Sequence, residues 1–190
     1  MSHNGVVFGW RRRQRESASP DSLHVVIAGG TPAAWRARSD DVWERQFLDI
    51  AASARAEGIG AVSFVPLTGE DAWDFSRQGE VMGVIIRAES RRDGRTRIVD
   101  ALKNWPAGDR VDEESLGRAI RGASGEPDLV VVCSSVERLP ETLVWELAYA
   151  ELVYVDVRWE AFGGRDLSAS MNEFRERERR FGGVDHSGTS

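Results

Sequence analysis

Three short stretches of this 190-residue chain carry residue types that could do chemistry. The first is Gly29-Gly30-Thr31-Pro32, directly after an apolar run. Paired glycines can turn backbone N–H groups towards a phosphate, although a simple tight turn has the same spacing. The second is Cys133-Ser134-Ser135-Val136-Glu137-Arg138, after the most apolar run of the chain. There Arg138 could clamp a phosphate with both arms of its guanidinium, or sit in a surface ion pair. The third is Glu151, between Ala150 and Leu152 at the end of a largely apolar segment. It is either a functional carboxylate or a helix-end residue.

Other chemistries lack their residues. His3, His24 and His186 are scattered, and no HxxE or CxxC occurs, so metal-ligand spacing is absent. There is no GxSxG elbow, no Walker pattern and no full GxGxxG. Lys103 is the only lysine, and neither a P-loop nor a Schiff-base pattern surrounds it. The lone cysteine, Cys133, excludes an internal disulfide framework and points to a reduced, intracellular setting. A net charge of −6 argues against a nucleic-acid module. Nearly all basic residues are arginine, which suits planar recognition of carboxylate or phosphate; a GC-rich genome gives the same bias. No stretch approaches the ~20 apolar residues that span a bilayer. Arg11, Arg12, Arg13 and Arg15 are followed by polar residues, unlike a signal peptide. That cluster could touch an anionic membrane surface or stay solvated. The expected location is cytoplasmic, with peripheral membrane contact as the furthest extension.

The elements that would position these residues alternate. Residues 1–22 are mostly polar and read as a flexible tail, as do residues 184–190. Leu23–Ala28 reads as a buried strand. Residues 40–57 read as a helix with Trp43, Phe47, Ile50, Ala51 and Ala54 on one face, stopped by Gly58. Residues 59–67 and 81–87 read as further strands, and 95–102 as a fourth. Asp112 opens a helix carrying Leu116, Ala119 and Ile120. Asp128–Val132 is the strongest strand, suited to a sheet centre. Residues 140–151 read as a helix with Pro140 in its first turn, 152–157 as a last strand, and 166–181 as an exposed helix with Glu173…Arg177 in the favourable order. Strands separated by helices imply an α/β fold with a mostly parallel sheet surrounded by helices, in one domain over 23–183. Ligands then belong beyond the carboxyl ends of the strands.

The run Asp128-Leu-Val-Val…Glu137-Arg138-Leu139-Pro140…Trp145-Glu146-Leu147-Ala148-Tyr149-Ala150-Glu151-Leu152 resembles the C-terminal half of the cis-prenyltransferases, the undecaprenyl diphosphate synthase family. The likeness continues through Asp156-Val-Arg-Trp159…Phe162 and Glu173-Phe174…Arg177-Glu178-Arg179-Arg180-Phe181-Gly182. It is good over 126–183, weaker over 23–75, and absent in the middle. The resemblance implies a cis-prenyltransferase-like parallel sheet, a dimer, Mg2+, and condensation of isopentenyl diphosphate with an allylic diphosphate.

Three departures bear on what the resemblance implies. The family's first loop reads Asp-Gly-Asn-Gly-Arg-Trp; here Gly30-Thr31-Pro32-Ala33-Ala34-Trp35 stands there, so Gly30 replaces the aspartate that serves the metal and the allylic diphosphate. In the second motif Val132, Val136 and Pro140 replace an arginine, a glutamate and a serine, while Arg138 stays and Glu151 keeps the metal-carboxylate position. Residues 68–80 stand where catalytic members insert tunnel-lining helices; at ~1.5 Å per residue they reach at most ~20 Å. Arg180 and Gly182 match the terminal Arg-x-Gly motif, which in family dimers reaches the partner's isopentenyl diphosphate. Losing a metal carboxylate and a clamp arginine should lower the rate on the order of 10³-fold or more. What remains resembles the non-catalytic subunits of two-component cis-prenyltransferases, the Nogo-B receptor type. The expectation is an accessory subunit with Arg138, Arg180 and Gly182 as diphosphate-binding residues and Glu151 as metal ligand. Its partner would be a catalytic cis-prenyltransferase or a second copy. The alternatives are a divergent stand-alone prenyltransferase, with Glu70 or Asp71 replacing the aspartate, and a prenyl diphosphate-binding protein.

Overall fold

Five apolar runs pair in parallel to make the body of the molecule. The computed structural model describes residues 22–71, 74–122, 125–135 and 138–181, with side chains of the last helix as far as Arg177. The elements are β1 (Leu23–Gly29), α1 (Pro32–Arg36), α2 (Asp40–Ala56), β2 (Ile59–Val65), β3 (Ser76–Val81), β4 (Val84–Glu89), α3 (Gly94–Lys103), α4 (Glu113–Arg121), β5 (Leu129–Cys133), β6 (Glu151–Val155) and α5 (Gly164–Phe181), with 3-10 turns at Glu141–Leu143 and Glu146–Ala148. The six strands lie in the order β3-β4-β2-β1-β5-β6. All neighbours are parallel except β3, which runs antiparallel on the edge beside β4. The order reverses at β1, so the carboxyl ends of β1 and β5 flank the switch point of an open α/β sheet.

One sheet face carries the main core. Val25, Ile27, Phe64, Ile86, Leu129, Val131 and Val153 pack against the buried stripe of α2 and against Phe162, Leu167 and Met171. The stripe is Trp43, Phe47, Ile50, Ala51 and Ala54, as the helical spacing predicts. The second face is smaller, with Val26, Ala28, Val65, Val130, Val132 and Leu143, and it includes polar groups. His24 there bonds Ser63 Oγ through Nε2 at 2.9 Å. Burial, above all other influences, pushes its pKa down from 6.5 to about 4.

Four sequence expectations are corrected. The run 81–87 is not one strand: Met82 and Gly83 both take positive φ (56° and 80°), closing a two-residue hairpin between β3 and β4. Residues 95–102 form helix, not strand. Asp93 accepts from the N–H groups of Arg95 and Thr96, and this cap outweighs the β preference of Thr96, Ile98 and Val99. Residues 140–151 make two 3-10 turns instead of a helix, because Thr142 and Glu146 are drawn into the interior by Pro66 and by two arginines. Glu151 therefore begins β6 and does not end a helix. β5 stands one place off the centre, which β2 and β1 occupy. The shortened interval after β2 holds a loop and then β3, with no helix among its described residues. Among the described residues no helix is long and apolar enough to cross a membrane.

Candidate functional site

At the carboxyl end of β1 the chain must leave the sheet and start a helix within two residues. Gly30 does this at φ +72°, where a glycine is favoured, and Thr31 caps α1 with Pro32 at its start. Trp35 then folds back and donates its indole N–H to Gly29 O at 2.9 Å. Trp159, from the loop after β6, stacks on Trp35 with centroids 5.6 Å apart and planes 28° apart. Gln46 of α2 holds that loop by donating to the carbonyls of Trp159 (3.0 Å) and Phe162 (2.9 Å). Trp43 closes the cluster at 5.4 Å from Trp159, and the Arg38 guanidinium lies 4.9 Å from the Trp159 ring and 5.2 Å from that of Trp43.

This cluster fills the space a side chain at position 30 would need. A Cβ on Gly30 would lie 2.4 Å from Trp159 Nε1 and 2.6 Å from its Cε2. A Cβ essentially never comes that close to a non-bonded atom, so the position is closed by shape as well as by residue type. Cys133, beside it at the end of β5, is buried, and burial pushes its thiol up to about 12; it is no nucleophile at neutral pH.

The remaining predicted residues scatter. Arg138 is exposed and ion-paired with Glu141. Glu151 lies at the amino edge of the sheet, level with Leu129 and hence with Val25, while Gly30 lies beyond the carboxyl edge. Five residues of parallel strand separate the two levels, roughly 16 Å. Glu151 instead faces Arg177 of α5 at 3.7 Å. Arg180 falls within the backbone of α5, and Gly182 lies outside the described residues, as do Val136 and Glu137. The loop carboxylates offered as substitutes for the aspartate are occupied: Arg36 grips Glu70 at 2.5 and 2.6 Å, and Arg92 holds Asp71 at 3.0 Å.

A buried charge network has no signature in the sequence. Glu146, almost fully buried, accepts from Arg91 and from Arg97, both at 2.8 Å, and Arg91 also holds Glu89 at 2.8 Å. Arg97 further donates to the carbonyls of Thr142 (2.6 Å) and Ile120 (2.8 Å). Burial alone would raise the Glu146 pKa; Arg91 and Arg97 overcome this and hold it below the usual carboxylate range. The network ties α3, the end of β4 and the 3-10 segment together. Its partners lie about 50 residues apart in sequence, and no local pattern signals them.

These residues do not fit a Mg2+ ion. Position 30 has no oxygen donor and no room for one, Glu151 is at the opposite sheet edge, and among the described residues no group of three or more His, Cys, Asp or Glu could hold a metal.

Comparison with known proteins points the same way as the fold. Residues 77–182 match a family model described as "Putative undecaprenyl diphosphate synthase", so the likeness takes in much of the middle region that the motifs alone leave out. An undecaprenyl-diphosphate synthase of Lactiplantibacillus plantarum is 34% identical over 116 residues, 58% of this chain and 41% of that protein. An isoprenyl transferase of Clostridium perfringens is 29% identical over 141 residues, 68% of this chain and 56% of that protein. The chain thus spans about half the length of these curated relatives or less. Among solved structures, lavandulyl diphosphate synthase from Lavandula x intermedia in complex with dimethylallyl diphosphate superposes with TM-score 0.59 at 14% identity, covering 80% of this chain and 94% of that one. A "probable undecaprenyl diphosphate synthase" from Campylobacter jejuni gives 0.60 at 16%, covering 86% and 100%. At these identities the likeness establishes a shared fold.

Proposed function

Because the chain belongs to the undecaprenyl diphosphate synthase family of cis-prenyltransferases, we propose that it is a non-catalytic accessory subunit of a heteromeric polyprenyl diphosphate synthase. The observation that carries this is Gly30 standing where the family has its aspartate, at φ +72° at the end of β1, with no side chain to serve a metal or a diphosphate. Ionising an allylic diphosphate requires charge compensation at the leaving group, and position 30 supplies no carboxylate to hold a metal for it. The metal chemistry is left to a catalytic partner.

The partner would dock on the segment around residues 140–160. Leu139, Val144 and Tyr149 expose apolar surface there, and β6 is an edge strand. Arg180 and Gly182 would reach the partner's isopentenyl diphosphate from the end of α5, Arg138 would contribute to a diphosphate site, and Glu151 would serve a metal only together with groups from the other chain. A second copy of this chain would bring a second site without the aspartate.

The decisive experiment has two arms. The purified chain with Mg2+, farnesyl diphosphate and labelled isopentenyl diphosphate yields no polyprenyl product. Co-expressed with a full-length homologue that carries the aspartate, it co-purifies, and the complex loses most activity on Arg180→Ala. Turnover by the isolated chain at ordinary synthase rates overturns the proposal; an unaffected Arg180→Ala complex overturns the donated tail.

A further inference from the structure

Helices α3 and α4 leave between them a cavity of about 550 Å3. Its walls are largely apolar, made by Ala101, Trp105, Pro106, Ala119 and Ile120. Two of its charged lining groups are matched: Arg97 pairs with Glu146, and Asp100 with Arg92. Two polar groups are not. The Trp105 indole N–H is buried and has no acceptor, although a buried indole normally finds one. Asp109 is exposed at the mouth and makes no ion pair among the described residues. It begins the run Asp109-Arg-Val-Asp-Glu-Glu114, which sets four carboxylates against one arginine and exposes Val111. Whatever fills the cavity must therefore bring apolar groups, an acceptor for the indole N–H and a cation for Asp109. A simple amine lacks the acceptor, and an apolar molecule lacks both. A peptide with arginine beside apolar residues brings all three: side chains for the wall, a backbone carbonyl for Trp105 and a guanidinium for the carboxylate.

The chain carries such a peptide itself, Val6-Val-Phe-Gly-Trp-Arg11-Arg-Arg-Gln-Arg15, which lies outside the described residues. We propose that the segment 6–15 docks in the α3–α4 cavity, with a guanidinium of Arg11–Arg13 on Asp109 and the ring of Phe8 or Trp10 against the apolar wall. Besides the chemistry of the cavity, charge and reach favour this occupant over a foreign peptide. The first 21 residues hold four arginines against Glu16 and Asp21, while the whole chain is at −6, so a basic segment is tethered to an acidic body. The tether ends beside α4. His24, at the start of β1, lies 3.3 Å from Glu126 O through Nδ1, and Glu126 pairs with Arg121, the neighbour of Ile120 in the cavity wall. The nine residues from Arg13 to Ser22 span up to ~30 Å when extended. Helix α4 is nine residues, ~14 Å, long, so every part of the cavity is within reach.

The test is nuclear magnetic resonance of the full 15N-labelled chain carrying a nitroxide at Gln14→Cys; Cys133 is buried and stays unlabelled. The nitroxide should broaden the Trp105 indole signal and spare that of Trp43, buried under α2. Asp109→Asn, nearly isosteric at an exposed position, should reduce the broadening about threefold, the worth of one exposed ion pair. Replacing Arg11, Arg12 and Arg13 together by glutamine should abolish it. Broadening that is absent at Trp105, spread evenly over the surface, or unchanged by Asp109→Asn overturns the proposal. So does broadening of the 15N-labelled chain by added nitroxide-bearing chain of natural isotope content, which would assign the cavity to the segment of a second copy. No catalytic partner, metal or prenyl chain enters this measurement, so its outcome and that of the accessory-subunit reading are independent.

Discussion

The filled position at the end of β1 is open to a double-mutant cycle. Gly30→Ala adds one carbon at φ +72°, and the left-handed backbone costs an alanine about 1–2 kcal/mol. The carbon also falls 2.4 Å from Trp159 Nε1, with further atoms of the same ring at 2.6 and 2.8 Å. The ring cannot give way easily, since Trp35 stacks on it and Gln46 ties its loop to α2. Forcing an extra carbon into such packing costs about 1–3 kcal/mol, so the total should be about 3 kcal/mol. Trp159→Ala alone should cost about 3–5 kcal/mol through the cavity it leaves. In that background Gly30→Ala should cost only the backbone part, giving a coupling of about 2 kcal/mol between two residues 129 positions apart. Urea unfolding of the four proteins at fixed pH measures it. A Gly30→Ala cost below about 0.5 kcal/mol, or additive single effects, would mean the indole does not fill that space. Gly30→Asp carries the same strain and should not produce metal-dependent turnover, so restoring the family's residue does not restore its site.

Two other perturbations follow from buried charge. Folded His24 stays neutral down to about pH 4, whereas the unfolded chain gains a proton below 6.5; stability contributed by the neutral ring is therefore full above pH 6.5 and lost as pH falls towards 4. The loss amounts to about 3 kcal/mol, and urea titrations at several pH values should show its slope disappear in His24→Gln; an unchanged slope refutes it. Glu146→Gln leaves the buried Arg91 and the largely buried Arg97 without their shared counter-charge and should cost about 3–5 kcal/mol by the same measurement, with a cost under about 1 kcal/mol contradicting the network's role.

How much of the molecule is legible in sequence depends on whether the deciding contact is local. Trp43, Phe47, Ile50, Ala51 and Ala54 recur at helical spacing, so α2 and its buried face follow from one window of residues. The capping box formed by Asp112 and Ser115 places α4 in the same way. Where two local signals compete, the reading fails: the β-branched residues of 95–102 look like strand until the Asp93 cap is weighed, and Met82-Gly83 hides a hairpin inside an apolar run. Glu151 reads as a helix end in sequence, whereas its place at the start of β6 depends on the register of β6 against β5, which no spacing within 140–151 contains.

Composition, periodicity and motif residues were enough to establish an α/β chain of the cis-prenyltransferase kind with a glycine in place of an aspartate at position 30. Only the assembled structure shows what surrounds that glycine. Strand pairing set Glu151 at the far edge of the sheet, and the loop after β6 brought Trp159 over Gly30. Both outcomes depend on residues more than a hundred positions apart meeting at van der Waals distance. Side-chain periodicity specifies which face of an element is buried; which distant side chain fills a given gap emerges only when all the elements pack at once.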